Sequence, residues 1–87
     1  MQKITMFMFP SCPYCVEALD WMKELKLENP QFNDIPFTMI DENRQRALAD
    51  EYDYWFVPTY YIGEKKVHEG AATKEIVKSV YERALQE

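Results

Sequence analysis

Hydrophobic side chains run almost without interruption from Ile4 to Phe9, with Thr5 as the one polar residue among them. A strand that is covered on both faces has this pattern, so residues 3–9 are predicted to form a buried strand. From Pro13 to Leu27 the hydrophobic positions recur every three to four residues instead, which is typical of an amphipathic helix. The predicted buried stripe of this helix consists of Val16, Ala18, Leu19, Trp21, Met22 and Leu25 or Lys26.

The rest of the chain alternates between short strand and helix patterns. Asn29-Pro30 ends the first helix, residues 28–35 are a polar connection, and residues 36–40 form a second strand. A weakly patterned helix is predicted over residues 43–52. Residues 59–69 read as a hairpin that turns at Gly63-Glu64. The final helix has a broad hydrophobic face made of Ile76, Val77, Val80, Tyr81, Ala84 and Leu85.

The resulting order, β-α-β-α-β-β-α, predicts an α/β fold. The helical crossover should make the first two strands parallel and right-handed, while the hairpin adds two antiparallel strands. We therefore expect a four-stranded mixed sheet with three helices divided between its faces. The length of 87 residues corresponds to one domain, residues 1–87.

Composition and charge narrow the classes of function. The net charge is −5, and nucleic acids or anionic membranes need a basic surface, so we expect neither as a partner. No hydrophobic run approaches the length of a membrane span, and the opening run lacks the features of a signal peptide. Two cysteines are too few for a disulfide-stapled secreted scaffold. A monomeric cytoplasmic protein with reactive or transiently oxidised thiols is the expectation.

Those two cysteines, Cys12 and Cys15, stand at the junction between the first strand and the first helix. Pro13 suits the first helical position, which makes Cys12 the N-cap. The free amides of Tyr14 and Cys15 are then expected to point at the Cys12 sulfur and, with the helix dipole, to favour its thiolate. Cys12 is the predicted nucleophile, open to solvent. Cys15, one turn into the helix, is the predicted shielded resolving thiol.

Two other interpretations of this cysteine pair are weaker. A zinc site needs four ligands, and only His68 offers a further nitrogen or sulfur side chain of the usual kind. An inert pair of small core residues would not require the preceding strand, the following helix and the proline between them. The context therefore favours thiol–disulfide chemistry at a Cys-x-x-C motif. No carboxylate in the sequence could be named as the base for Cys15.

Cys12-Pro13-Tyr14-Cys15 resembles the redox-active disulfide motif of dithiol glutaredoxins in the thioredoxin-fold superfamily. Val57-Pro58 also resembles that superfamily's Val–cis-Pro pair, which lies opposite the cysteines and contacts the substrate. The resemblance covers nearly the whole chain. It implies thiol–disulfide oxidoreductase activity in electron transport and cell redox homeostasis, with no tightly bound cofactor and with glutathione as a reducing co-substrate. The substrate contacts that follow from the resemblance are Val57, Pro58, Gly70, Ala71 and Thr73. Trp55 and Phe56 are added to them as aromatic residues that flank Pro58.

Three positions depart from the glutaredoxin pattern, and all three concern glutathione. Phe9 stands where the family usually has a lysine, and Trp55 stands where a basic residue is frequent. The family's paired glycines and following acid are replaced here by Gly70-Ala71-Ala72-Thr73. The Thr73 hydroxyl and the amides of the last helix could still hold a carboxylate. Arg44 and Arg46 are the nearest candidates to bind the carboxylate on the glycine residue of glutathione.

Two groups of large side chains are predicted to lie in different places, one at the surface of the site and one in the core. Trp55 and Phe56 are predicted to form a hydrophobic rim around Cys12, and Tyr14 is expected to be exposed at the site. The methionines on strand and helix faces are predicted core residues: Met6, Met8, Met22 and Met39.

Three hypotheses on function remain open from the sequence. The first is an oxidoreductase that reduces protein or glutathione mixed disulfides with glutathione as reductant. The second is a thioredoxin-like redoxin that receives electrons from a reductase protein. The third is a binding module whose cysteines hold a metal or an iron–sulfur cluster, which would need further ligands from a partner.

Overall fold

The computed structural model describes all residues from Met1 to Glu87. Four strands and three α-helices follow in the predicted order, with a short 3₁₀ helix before the second strand. Their bounds are β1 Ile4–Met8, α1 Pro13–Glu28, the 3₁₀ helix Pro30–Asp34, β2 Phe37–Asp41, α2 Arg46–Ala49, β3 Thr59–Ile62, β4 Lys65–Glu69 and α3 Lys74–Gln86. No helix is both long enough and hydrophobic enough to span a membrane.

Strand β1 lies in the middle of the sheet, and all five of its residues are buried. The strand order is β2-β1-β3-β4, in which β1 is parallel to β2 and antiparallel to β3. The β3–β4 hairpin turns at Gly63, whose φ of 59° lies in the left-handed region that favours glycine. The predicted mixed sheet, its parallel pair and its hairpin are confirmed.

Alternate residues of β1 face two separate hydrophobic clusters, as the pleat of a strand requires. Ile4, Met6 and Met8 face α1 and α3 and belong to the larger cluster. Phe7 faces the opposite side, where it packs in a smaller cluster with Ile40, Ala49 and Tyr61. The helices therefore cover both faces, and the strand that leads into the cysteines is fixed from both sides.

The buried stripe of α1 is rotated relative to the prediction. Its fully or nearly fully buried residues are Cys15, Ala18, Met22 and Leu25, while Val16 is 46% exposed. The reason is positional, because a helix that starts at Pro13 with Cys15 turned toward the sheet directs Val16 away from it. Leu19 and Trp21 pack only at the edge of the cluster.

Three further expectations were wrong. The helix predicted over residues 43–52 is only the single turn Arg46–Ala49, since the chain first forms turns held by the Asp41 carbonyl, which accepts from the Arg44 and Gln45 amides. The connection over residues 28–35 contains a 3₁₀ helix that buries Phe32. Met39, predicted as core, is 43% exposed because β2 is an edge strand.

Tyr81 offers a test of how the larger cluster is stabilised. Its ring stacks on Phe32 with centroids 4.8 Å apart, but its buried hydroxyl has no hydrogen-bond partner. Burial raises the pKa of Tyr81 to about 12. Removing an unpaired buried hydroxyl relieves a desolvation penalty, so Tyr81→Phe should be neutral or stabilising by up to about 1 kcal/mol in urea unfolding.

Tyr61→Phe is the matched control for that prediction. The Tyr61 hydroxyl donates to the Asp53 carbonyl at 2.7 Å, so its removal should destabilise the protein by about 1 kcal/mol. The two changes in stability need not be equal in size. A loss of stability in Tyr81→Phe as large as that in Tyr61→Phe would contradict the conclusion that the buried Tyr81 hydroxyl is unpaired.

Candidate active site

Cys12 is the N-cap of α1, and Pro13 is its first helical residue, as predicted. The Cys12 amide donates to the Phe9 carbonyl at 3.2 Å, which closes the turn after β1. The Cys12 carbonyl in turn accepts from the Cys15 and Val16 amides, both at 3.0 Å. These bonds fix the turn that carries Cys12 at the end of the central strand.

Two expectations about the Cys12 sulfur were wrong. The Cys12 side chain accepts no cap hydrogen bond, and the Cys15 amide, which was expected to point at the sulfur, donates to the Cys12 carbonyl instead. Cys12 is also not open to solvent, since only 7% of the residue is exposed. It is covered because it belongs to the larger hydrophobic cluster.

Cys15 is fully buried, as predicted, and both cysteines are free thiols. Burial raises the pKa of Cys15 to about 12, and the neighbouring Cys12 thiol and the charge of Glu42 act in the same direction. A hydrogen bond from the Phe9 backbone acts against them. Of the two sulfurs, only that of Cys12 belongs to a residue with any exposure to solvent. The flanking Ser11, Pro13 and Tyr14 are exposed, the last by 56%.

The Val57-Pro58 peptide bond is cis, which confirms the prediction for this pair. The position of this peptide bond follows from the register of the sheet. Phe7 of β1 pairs with Thr59 of β3, and these two strands run antiparallel. Continuing that register by two residues sets Val57 opposite Phe9, beside the cysteine turn. The Val57 N–H and C=O form no hydrogen bond within the protein.

The segment before the cis-proline, residues 53–58, is held by side chains from the hairpin. One Glu69 carboxylate oxygen accepts from the Trp55 and Phe56 amides, at 2.5 and 3.0 Å. The other accepts from the Lys66 ammonium at 2.7 Å. These hydrogen bonds hold the pKa of the Glu69 carboxyl at about 2, well below its usual range. The hydrogen bond from Lys66 has the largest effect, and those from the two backbone amides come next.

The predicted rim residues Trp55 and Phe56 are exposed by 85% and 69%. Gly70 follows Glu69 with a φ of 93°, and its amide donates to the Pro58 carbonyl at 2.9 Å. Ala71 contributes a carbonyl that accepts, together with that of Gly70, from the His68 ring nitrogen Nε2 at 3.0 Å. The Thr73 hydroxyl oxygen caps α3 by accepting from the Ile76 amide at 3.1 Å.

Two acidic residues at the site were not assigned from the sequence. Glu42 directly follows β2, its amide donates to the Met8 carbonyl, and its carboxylate accepts from the Tyr54 hydroxyl at 2.7 Å. A carboxylate just past a strand parallel to β1 must lie at the same sheet edge as the cysteines, and this signal could have found it. Glu69 could not be found in this way, because its contacts depend on how residues 53–58 fold back.

No group of three or more His, Cys, Asp or Glu side chains in the structure is arranged to hold a metal ion. A metal or cluster on Cys12 and Cys15 would therefore need additional ligands from outside this chain.

The fold is that of the thioredoxins. The oxidised thioredoxin of Plasmodium falciparum aligns with a TM-score of 0.70 at 17% identity, over 93% of this chain and 78% of that one. An uncharacterised thioredoxin-like protein of Clostridium perfringens aligns with a TM-score of 0.67 at 25% identity, over 97% of this chain and 71% of that one.

The family follows from the sequence comparisons. A family model described as glutaredoxin matches residues 4–67. A thioredoxin of Methanocaldococcus jannaschii is 34% identical over 83 residues, which cover 95% of each chain. The chain belongs to the glutaredoxin/thioredoxin-like superfamily, whose members carry out thiol–disulfide redox chemistry. The predicted membership of the glutaredoxin/thioredoxin-like superfamily and the expected fold class are thereby confirmed.

Proposed function

We propose that this protein is a dithiol oxidoreductase that reduces disulfides in polypeptides, with Cys12 as nucleophile and Cys15 as resolving thiol. The observation that supports this best is the arrangement of the two thiols. Cys12 caps the start of α1 and keeps a small exposed area, while Cys15 is fully buried at the third position of the same helix. A 34% identical relative carries the name thioredoxin, which agrees with this class of reaction.

In the first step the Cys12 thiolate attacks one sulfur of the substrate disulfide. A bond forms between the Cys12 Sγ and that sulfur, and the other substrate sulfur leaves as a thiolate that takes up a proton. The positive end of the α1 dipole stabilises negative charge on Cys12. An extended substrate segment pairs with the free N–H and C=O of Val57, in the manner of strand addition.

In the second step Cys15 loses its proton and attacks the Cys12 Sγ. The Cys12–Cys15 disulfide forms and the substrate sulfur leaves as a thiolate, so the substrate gains two electrons that the dithiol has lost. Because burial raises the pKa of Cys15 to about 12, this step needs a proton acceptor. Glu42 directly follows β2, the strand parallel to β1, and so lies at the same sheet edge as the cysteines, and we assign it this role.

Cys15→Ser tests the assignment of the two thiols. The variant should lose multiple-turnover reduction of a protein disulfide such as insulin, because no internal thiol can resolve the mixed disulfide. Mass spectrometry should then find a stable adduct on Cys12. With a glutathione mixed disulfide and excess glutathione, the variant should keep activity, because glutathione itself can resolve the intermediate. Undiminished turnover on insulin would show that Cys15 is not the resolving thiol.

A further inference from the structure

The polar groups around residues 53–58 are almost all paired within the protein. Lys66 is paired with Glu69, which also accepts from the Trp55 and Phe56 amides. Lys74, at the start of α3, is paired with Glu28 at 2.9 Å and Glu24 at 3.5 Å. The Lys66 ammonium and the Trp55 and Phe56 amides are therefore not free to bind a small anionic ligand.

The arginines at the other side of the site differ from each other. Arg46 lies 3.8 Å from Asp50, whereas Arg44 forms no ion pair. Arg44 lines an open cavity of about 500 Å³ with Pro10 and Met8, but Asp41 lines the same cavity and offsets its charge. A ligand with two carboxylates would thus meet at most one unpaired cation here.

What the surface does offer is exposed aromatic rings. Tyr14 lies between the cysteines, and Trp55 and Phe56 precede the cis-proline, all three more than half exposed. Exposed aromatic side chains on a rigid support are typical anchors of protein interfaces. Glu69 supplies that support, because its carboxylate binds the backbone of both rim residues rather than their rings.

We propose that Glu69 is a positioning and specificity-determining residue that selects a polypeptide disulfide with hydrophobic flanking side chains over glutathione. It does so in two ways. Its carboxylate holds the backbone of Trp55 and Phe56 so that the rings face an incoming polypeptide. It also occupies the two amides and neutralises the Lys66 ammonium, which would otherwise attract a glutathione carboxylate. This inference depends on the proposed oxidoreductase function.

The test uses reduced protein in single-turnover oxidation by two substrates. One is a disulfide-linked peptide with leucine and phenylalanine beside its half-cystines, and the other is oxidised glutathione. The parent should react at least about tenfold faster with the peptide, since anchor side chains and charge both act in its favour. Glu69→Gln should narrow this ratio by about threefold to tenfold, mainly through faster oxidation by glutathione.

Glu64→Gln is the control, because it removes the same charge at the exposed hairpin turn, without a hydrogen bond or ion pair to residues 53–58. It should leave the ratio within about twofold of the parent. The salt dependence of the rate distinguishes the electrostatic effect of the Glu69 carboxylate from a purely structural effect. Added salt should speed the reaction of the parent with oxidised glutathione, and it should have less effect on the same reaction of Glu69→Gln. An unchanged ratio in Glu69→Gln, or the same change in Glu64→Gln, would overturn the proposal.

The positioning role has its own readout. Hydrogen exchange of the Trp55 and Phe56 amides should be slower in the parent than in Glu69→Ala, which has no acceptor at this position. Equal exchange in the two proteins would refute the role. Failure of the oxidoreductase function would look different, because the parent would then react with neither disulfide.

Discussion

Replacing Cys12 with serine should abolish disulfide reduction, with a loss on the order of 10³-fold or more, as removal of a nucleophile produces in other enzymes. A hydroxyl does not attack a disulfide sulfur at neutral pH, and Cys15 is too buried to replace the missing thiol. The measurement is turnover of insulin disulfides with a chemical reductant, compared with the uncatalysed rate.

Ser11→Ala is the control for this variant, because Ser11 is exposed, adjacent to Cys12 and outside the proposed machinery. It should keep activity within about threefold of the parent. Alkylation gives an independent check on the parent. Iodoacetamide at pH 8 should label Cys12 and leave Cys15 unmodified, since Cys15 is fully buried and its pKa is about 12. Residual catalysis in Cys12→Ser, or labelling of Cys15 first, would contradict the assignment.

The sequence predicted the fold well because local and long-range signals agreed. The hydrophobic run ending at Phe9 and the glycine at the hairpin turn each point to one conformation, and all four strands were confirmed. The cysteine turn was predicted for a similar reason, since Pro13 can begin a helix but cannot continue one from its interior. The superfamily and the cis Val57-Pro58 bond came from resemblance rather than from pattern.

The sequence failed where tertiary packing decides between alternatives. The buried side of α1 depends on how the helix sits on the sheet, and Val16, predicted to be buried, is 46% exposed. The exposure of Cys12 depends on the larger cluster, whose members lie far apart along the chain. Its thiolate was predicted from the free amides of Tyr14 and Cys15, but the Cys15 amide donates to the Cys12 carbonyl and the Cys12 side chain accepts no cap hydrogen bond.

The rim residues show the same distinction between local and distant signals. That Trp55 and Phe56 would be exposed was predictable, because a small core cannot enclose every aromatic side chain in that stretch. That a carboxylate at the end of β4 would hold their backbone was not, because the bond joins residues 13 and 14 positions apart across a loop. The specificity proposed above therefore depends on a contact that no local pattern encodes.

Phe7→Ala should destabilise the protein by about 3–5 kcal/mol, the largest effect expected for any core truncation here. Phe7 is fully buried on the face of β1 away from α1, and its ring contacts those of Tyr52, Tyr54 and Tyr61 at centroid distances of 4.7, 4.7 and 5.8 Å. A domain of this length has a total stability of roughly 4–13 kcal/mol, so the loss approaches the lower end of that range. Urea unfolding measures it directly.

Phe56→Ala removes the same ring from the surface and is the matched control for this prediction. Because Phe56 is 69% exposed, its truncation should change stability by no more than about 0.5 kcal/mol. If Phe7→Ala lost less than about 1 kcal/mol, the smaller cluster would not be a core, and the segment carrying Trp55 would lack the support that the specificity proposal requires. A large loss in Phe7→Ala beside near-neutral Phe56→Ala would instead show that the chain uses one aromatic ring for folding and leaves the other free for contact with a partner.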